Sequence, residues 1–253
     1  MRVLGIDTST MVGSVALVND GRLEGEYTLN VRRTHSERLM PALARVMEDA
    51  GVDASQIDGV AVAIGPGSFT GIRIGVAGAK GLAYALDKPV TGISTLDAMA
   101  FGIGLAATLI CPLLDAKRGQ VYTAIYQGLG RPDAPPRRLT EYLASDIKEI
   151  LGRLSALGGE VVFSGDGVEP NLQAIEDHLG KRAGIAPHTI GTMRAGWVAQ
   201  LGMLRLVEGS RDDAFSLLPL YVRPPEVDRL RAALPAQGPG QRGNSSEARI
   251  KTP

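Results

Sequence analysis

Two well-separated stretches of the chain follow one pattern, and that repetition constrains the fold more than any single motif does. The first runs from VLGID (3–7) to GSVALVNDG (13–21), the second from CPLLD (111–115) to GQVYTAIYQG (119–128). Each is an apolar run closed by an aspartate, Asp7 or Asp115, then a short polar turn, a Gly-x-Val step and a second apolar run ending at a glycine. Such a unit reads as two antiparallel strands. Its recurrence marks a candidate internal duplication, although two unrelated hairpins would give the same short pattern.

The segments after each hairpin extend the parallel. Behind the first come a third strand (22–29) and a helix over 34–50, with Leu39, Leu43, Val46, Met47 and Ala50 at helical spacing. A buried strand (59–64), a helix (70–86), a short strand (89–92) and a helix capped by Ser94 or Thr95 complete that half. Behind the second come a Pro/Arg-rich loop (130–138), a helix (145–157), a strand (161–164), the turn Gly165-Asp166-Gly167 and helices at 171–179 and 192–208. The expected architecture is α/β, two related lobes, each a mixed sheet covered by helices. The boundaries drawn are 1–106 for the N-terminal lobe and 107–232 for the C-terminal lobe. Residues 233–253 lack apolar periodicity and are rich in Gly, Pro, Ser and Gln, so a disordered tail is expected.

Charge and cysteine content narrow the function classes. The 253 residues carry 27 Lys+Arg against 27 Asp+Glu, without the basic excess of a direct nucleic-acid binder. Arg131, Arg137 and Arg138 form a local basic cluster that reads equally as solvated surface. The single cysteine, Cys111, lies in an apolar run, so no disulfide forms within the chain, as suits a reducing compartment. The start, MRVLGIDTST, has Asp7 too early for a signal peptide. The uncharged run up to Leu114 is interrupted by Gly102, Gly104 and Pro112 and reads as a buried helix followed by a strand rather than a membrane span. A cytoplasmic protein is expected.

Three segments could carry chemistry. Asp7-Thr8-Ser9-Thr10 sets a carboxylate beside hydroxyls at a strand end, which suits a metal–phosphate group or a plain polar turn. Gly65-Pro66-Gly67-Ser68-Phe69-Thr70-Gly71 joins a strand to a helix, where free N–H groups attract anions. It lacks the lysine of a phosphate-binding P-loop and reads equally as a tight turn capped by Ser68 or Thr70. In the next helix, Gly71, Gly75, Gly78, Leu82 and Ala85 share about 80° of arc, and the apolar surface as a whole spans about 200°. Close packing within the lobe or against a partner would account for those glycines. His35, His178 and His188 are scattered, and no His or Cys pair has metal-ligand spacing.

In combination, LGIDTST (4–10), RTHSERLMP (33–41), GPGSFTGIRIG (65–75), ISTLDAMA (93–100), LLDAKRGQVY (113–122) and LYVR (220–223) resemble the TsaB family, also called YeaZ. The resemblance is close over 1–130 and looser over 131–230. It implies the actin-like ATPase fold with two duplicated lobes, and a role in forming threonylcarbamoyladenosine at position 37 of tRNAs reading ANN codons. It also implies partners: TsaD, the paralogous transferase, contacted through the N-terminal-lobe helices; TsaE, through the assembly; and tRNA only through that assembly. Pairing of the chain with a second copy is a further expectation.

TsaD proteins carry a His-x-x-x-His metal pair after their own GPG loop and helix, and the resemblance lays Thr95 and Met99 on those positions. Neither is a credible ligand, so the expectation is a non-catalytic protein without metal or cofactor. Asp7, Thr8, Ser9, Gly65, Gly67, Ser68, Gly165 and Gly167 are then a vestigial nucleotide site. Leu39, Met40, Leu43, Met47, Gly71, Gly75, Gly78 and Leu82 are the expected partner interface. The competing readings are a nucleotide-binding hydrolase or peptidase-like enzyme, and a small-molecule kinase, of the same fold.

Overall fold

The computed structural model describes residues 1–30, 35–104, 108–131 and 134–223. The expected tail, the lobe boundary at 106/107 and the start of the first helix at Thr34 lie outside the described residues. The first half is built from β1 (Arg2–Asp7), β2 (Val12–Asn19), β3 (Arg22–Asn30), α1 (His35–Asp49), β4 (Gly59–Gly65), α2 (Phe69–Leu86), β5 (Val90–Ser94) and α3 (Thr95–Ile103). The second is built from β6 (Leu109–Asp115), β7 (Gln120–Thr123), β8 (Tyr126–Gln127), β9 (Arg137–Arg138), β10 (Leu143–Asp146), α4 (Ile147–Leu157), β11 (Val161–Ser164), α5 (Leu172–Leu179), β12 (Ala183–Ile185), α6 (His188–Gly191) and α7 (Ala195–Val207).

The strand orders repeat. The first sheet runs β3-β2-β1-β4-β5 and the second β10-β7-β6-β11-β12. In both, the leading strand pairs antiparallel with the next (β1 with β2, β6 with β7) and parallel with a later one (β1 with β4, β6 with β11). A parallel fifth strand extends each edge (β5, β12). The duplication read from two hairpins therefore extends over five strands of each sheet, with β8 and β9 added beside β6 in the second alone.

The first sheet is covered on both faces, which is why GVAVAI reads as an unbroken apolar run. Leu4, Ile6, Val15, Leu17, Val60 and Val62 pack with α1 and α2. Their neighbours Val3, Val18, Ala61 and Ala63 point the other way, onto α3 and α7. That second core continues into Ile110 and Leu114 of β6, so one packed layer serves both sheets. The far face of the second sheet buries Cys111, Leu113 and Phe163 against Ile150, Leu154 and Ile175 of α4 and α5.

Helix α7 departs from what chain order suggests. It belongs to the second half in sequence, yet it lies across β1, β2, β4 and β5. Small residues make this approach close: a Cβ on Gly202 would stand 2.3 Å from Ala61 Cβ. Its first turn is tied down by Glu26 of β3, which accepts from Arg194 Nε at 2.8 Å and from Gly196 N at 2.9 Å, while Ser14 Oγ accepts from Ala195 N.

The run 120–127, expected as one strand, is broken. Ala124 and Ile125 leave the ladder because Ile125 N donates to Thr140 Oγ1 and its carbonyl accepts from Leu139 N. Ser94 caps α3 by accepting from Asp97 N at 3.4 Å. Among the described residues no helix is long and apolar enough to cross a membrane.

Candidate functional site

The two strand-end aspartates sit in opposite surroundings. Asp7 is fully buried; its Oδ1 accepts from Ser9 N at 3.0 Å and Ser9 Oγ at 2.6 Å, and among the described residues its Oδ2 has no partner. Burial pushes its carboxyl up to about 6, against the Ser9 hydrogen bonds and His35, which favour the charged form. Asp115 is held below the usual carboxylate range, chiefly by its hydrogen bond from Lys117. The Lys117 ammonium stands 2.6 Å from it and is largely exposed.

The glycine loop after β4 closes onto the Asp7 turn. Ser68 N donates to Ser9 O at 2.6 Å, and a Cβ on Gly67 would lie 2.1 Å from that same carbonyl. Ser68 caps α2, accepting from Gly71 N at 3.2 Å. Thr8 Oγ1 donates to Gly71 O at 2.7 Å. The glycines thus let the loop and helix seat on Thr8 and Ser9, as the tight-turn reading holds. His35, at the start of α1, places Nε2 2.9 Å from Thr10 O and fixes the same turn.

Of the eight residues expected to form a nucleotide site, Asp7, Thr8, Ser9, Gly67 and Ser68 come together in this closed turn, with Gly65 at the end of β4. Gly165 meets that turn only across a cavity that Thr10 also lines, and Gly167 is not in its lining. Their turn folds back on β6, where Gly167 N donates to Leu113 O at 3.0 Å. Gly165 lines this cavity, of about 370 Å³. That cavity also takes Thr10, Met99, Ser164, Asp166 and Glu169, and its lining does not include Asp7.

The expected partner surface also divides. Gly71 and Gly75 face inward: a Cβ on Gly75 would lie 2.3 Å from Thr8 Oγ1, and one on Gly71 2.0 Å from Thr8 O. A Cβ on Gly78 would meet Leu39 of α1 at 2.7 Å. Leu39 and Leu43 are core residues, Met47 and Leu82 are half-buried, and Met40 is exposed. The glycine face is therefore the packed face of α2. Its outward strip is Phe69, Arg73, Ala77, Gly81, Tyr84 and Ala85. Arg73 stacks on Phe69 at 3.8 Å and donates to Tyr221, while Tyr84 meets Phe215 edge-on. Sequence reasoning missed this strip because both sides of α2 are small and apolar, and the wheel alone does not say which meets the sheet.

Thr95 is buried with its Oγ1 unpartnered among the described residues, and Met99 is buried beside Gly165. Among the described residues no three His, Cys, Asp or Glu side chains gather as a metal site.

Comparison with known proteins gives these features a context. A family model for "TsaD: tRNA N6-adenosine threonylcarbamoyltransferase" matches residues 28–145. The chain is 34% identical over 231 residues to the tRNA threonylcarbamoyladenosine biosynthesis protein TsaB of Bacillus subtilis, covering 90% of this chain and 96% of that one. A solved protein from Pseudomonas aeruginosa, described as similar to peptidase YEAZ, superposes with a TM-score of 0.75 at 27% identity, over 88% of this chain and 99% of its own. The ethanolamine utilization protein EutJ of Carboxydothermus hydrogenoformans superposes at 0.52 with 12% identity, over 80% of this chain and 90% of its own, a likeness of fold alone. The repeated mixed sheets are those of the actin-like ATPase fold.

Proposed function

Because this chain belongs to the TsaB family of tRNA threonylcarbamoyladenosine biosynthesis proteins, we propose that it acts without chemistry of its own, as the scaffold and activator of a TsaD transferase. The modification would be made at position 37 of tRNAs reading ANN codons, in the cytoplasm. TsaE and tRNA would be engaged through the assembly. The observation that carries this reading is the outward strip of α2. It sets Ala77 and Gly81 between the aromatic groups of Phe69 and Tyr84, and Met40 of α1 is exposed in the same half. Small residues admit a close helix, and Met adapts to a partner's shape. Among the described residues, the helix's own backbone aside, nothing lies within 4 Å of where a Cβ on Gly81 would stand.

The hydrolase reading needs Asp7 to face a nucleotide. Its carboxylate is instead buried beneath a turn that Gly67 and Ser68 close. Thr95 and Met99, at the positions of the paralogue's metal pair, support the non-catalytic reading.

The test is co-purification of the full chain with a TsaD protein, followed by tRNA modification assays with each component omitted. The chain alone, given threonylcarbamoyl-AMP, should leave tRNA unmodified. Gly81→Arg should melt like the parent or slightly higher, since Gly inside a helix costs about 1 kcal/mol. It should weaken TsaD binding about tenfold or more. Unchanged affinity would place the partner elsewhere, and modification by the chain alone would overturn the reading.

A further inference from the structure

The duplication of the sheets is broken at one place, and the strands added there tie the two halves together. β8 and β9 lie beside β6 and, among the described residues, have no counterpart beside β1. They bring Tyr126 and Arg138 to Asp97 of α3, a helix of the first half. Tyr142, just before β10, reaches the same carboxylate. Tyr126 donates its hydroxyl to Asp97 Oδ1 at 2.8 Å, and Tyr142 donates to Oδ2 at 2.8 Å. The Arg138 guanidinium stands 3.8 Å from Oδ1 and lies over the Tyr142 ring at 4.1 Å. Both phenols stay donors, because burial and the Asp97 charge push them up, Tyr142 to about 12. One carboxylate thus gathers side chains from two separate parts of the second half, since β8 pairs with β6 and β10 with β7.

The place of Asp97 on α3 gives this cluster a mechanical role. Met99, two residues on and so about 200° around the helix, lines the cavity of about 370 Å³. That cavity takes Thr10, Met11 and Val12 from the first half and Gly165, Asp166 and Glu169 from the second, so its width follows the separation of the halves. α3 packs on strands of both sheets, with the cavity on one side of the helix and the Asp97 cluster on the other. Turning one half against the other about α3 would change the cavity's width and would also draw Tyr126 and Tyr142 off Asp97. An O–H···O bond is made between about 2.5 and 3.0 Å, so a small displacement breaks both. The core shared by Ile93, Leu96, Ile110 and Leu114 resists the same turn, as a large apolar interface does. We infer that the Asp97 cluster is a clamp that holds the two halves in one fixed orientation, so that the chain does not open and close as a hinged protein does.

The inference is independent of the partner reading and is tested on the full chain without TsaD. Nitroxide labels on Ala44→Cys in α1 and Ser155→Cys in α4, both at exposed positions, report the distance between the halves by pulsed electron spin resonance. Cys111 stays unlabelled, because it is fully buried and burial pushes its thiol up to about 12. The labelled parent should give one narrow distance distribution. Asp97→Ala should broaden it about twofold or more. Tyr142→Phe, which keeps the ring and removes one donor, should broaden it less. Asp115→Asn, in a solvated pair of the second half, should leave it unchanged. A broad or two-peaked distribution in the parent would overturn the proposal. So would an Asp97→Ala protein that melts cooperatively and keeps the parent's width, or equal broadening by Asp115→Asn. Should Asp97→Ala not fold, Tyr142→Phe decides: a broader distribution upholds the clamp, and the parent's width overturns it.

Discussion

The two sheets have the same strand order but treat their strand-end turns differently. After β1, the turn is roofed: Ser68 N and Gly67 sit on Ser9, Gly71 and Gly75 press on Thr8, and His35 holds Thr10. After β6, the turn is open. Lys117 and Arg118, at positive φ, carry it into solvent, and Lys117 pairs with Asp115 on the surface. The glycine turn after β11 folds inward on Leu113, within β6, rather than beyond its end. The same topology thus gives one buried, interlocked turn and one solvated one. The difference comes from a few residues: glycines that let α2 approach in the first half, and a lysine that keeps the aspartate at the surface in the second.

The largest test of this contrast is steric. Gly75→Arg forces a side chain where Thr8 Oγ1 would be 2.3 Å from its Cβ, and Gly67→Ala meets Ser9 O at 2.1 Å. Both should lower stability by about 3 kcal/mol or more, seen as a loss of the cooperative thermal transition or a large fall in its midpoint. Gly167→Ala meets Leu113 atoms only at 3.0 Å and should lose about half as much. Equal losses would mean that the glycine turn after β11 is seated on β6 as tightly as the loop after β4 is seated on Ser9.

A middling effect is expected where each half anchors a helix start. Glu26, with 5% of its side chain exposed, bonds Arg194 and Gly196 at the head of α7. Glu26→Ala leaves the partly buried Arg194 and the Gly196 amide without their acceptor, and should reduce stability by about 2–3 kcal/mol. Asp146 caps α4 through Lys148 N at an exposed site. Asp146→Ala should lose about 1 kcal/mol by urea denaturation. A reversed order would show that α7 is held by its packing on the sheet rather than by its first turn.

Much of this contrast was legible in the sequence, and the remainder fails for identifiable reasons. Apolar runs and punctuating glycines marked β1, β4, β6, β11, α2 and α4 to within a few residues, because covered strands and amphipathic helices leave strong periodicity. The three-residue β12 and the two-residue β9 are too short to leave any. The destination of α7 was hidden because its small, apolar residues fit either sheet. The nucleotide-site expectation grouped Asp7 with Gly165 and Gly167 on the family resemblance, and in the fold Thr10 and Gly165 line one cavity whose lining leaves out Asp7. The two-lobe boundary remains a proposal, since the shared core makes residues 1–222 one compact unit.

The finest test uses the two aspartates as opposed pH probes. Asp7 has its carboxyl raised from an ordinary 3.8 to about 6 by burial. The folded protein therefore binds this proton more tightly than the unfolded chain. Its contribution to stability is full below about pH 4, declines as pH rises to about 6, and is flat beyond. Two units correspond to about 3 kcal/mol, an upper figure because an amide at this position would still leave one buried group unpartnered. Asp7→Asn, which keeps an acceptor for Ser9, should raise stability by about 1–2 kcal/mol at pH 7.5, with the gain fading toward pH 4. Asp115 is shifted the other way, so its contribution is present above its ordinary value and is lost on acidification through the lowered one. Because Lys117 is largely exposed, Asp115→Asn should lose only a few tenths of a kcal/mol at neutral pH. Denaturation of both variants from pH 4 to 8 separates the cases. A gain for Asp7→Asn that does not vary with pH would mean that the charge is not what makes Asp7 costly. A loss at every pH would mean that its second oxygen has a partner in solution, and the contrast between a buried and a solvated turn would fail at its most sensitive point.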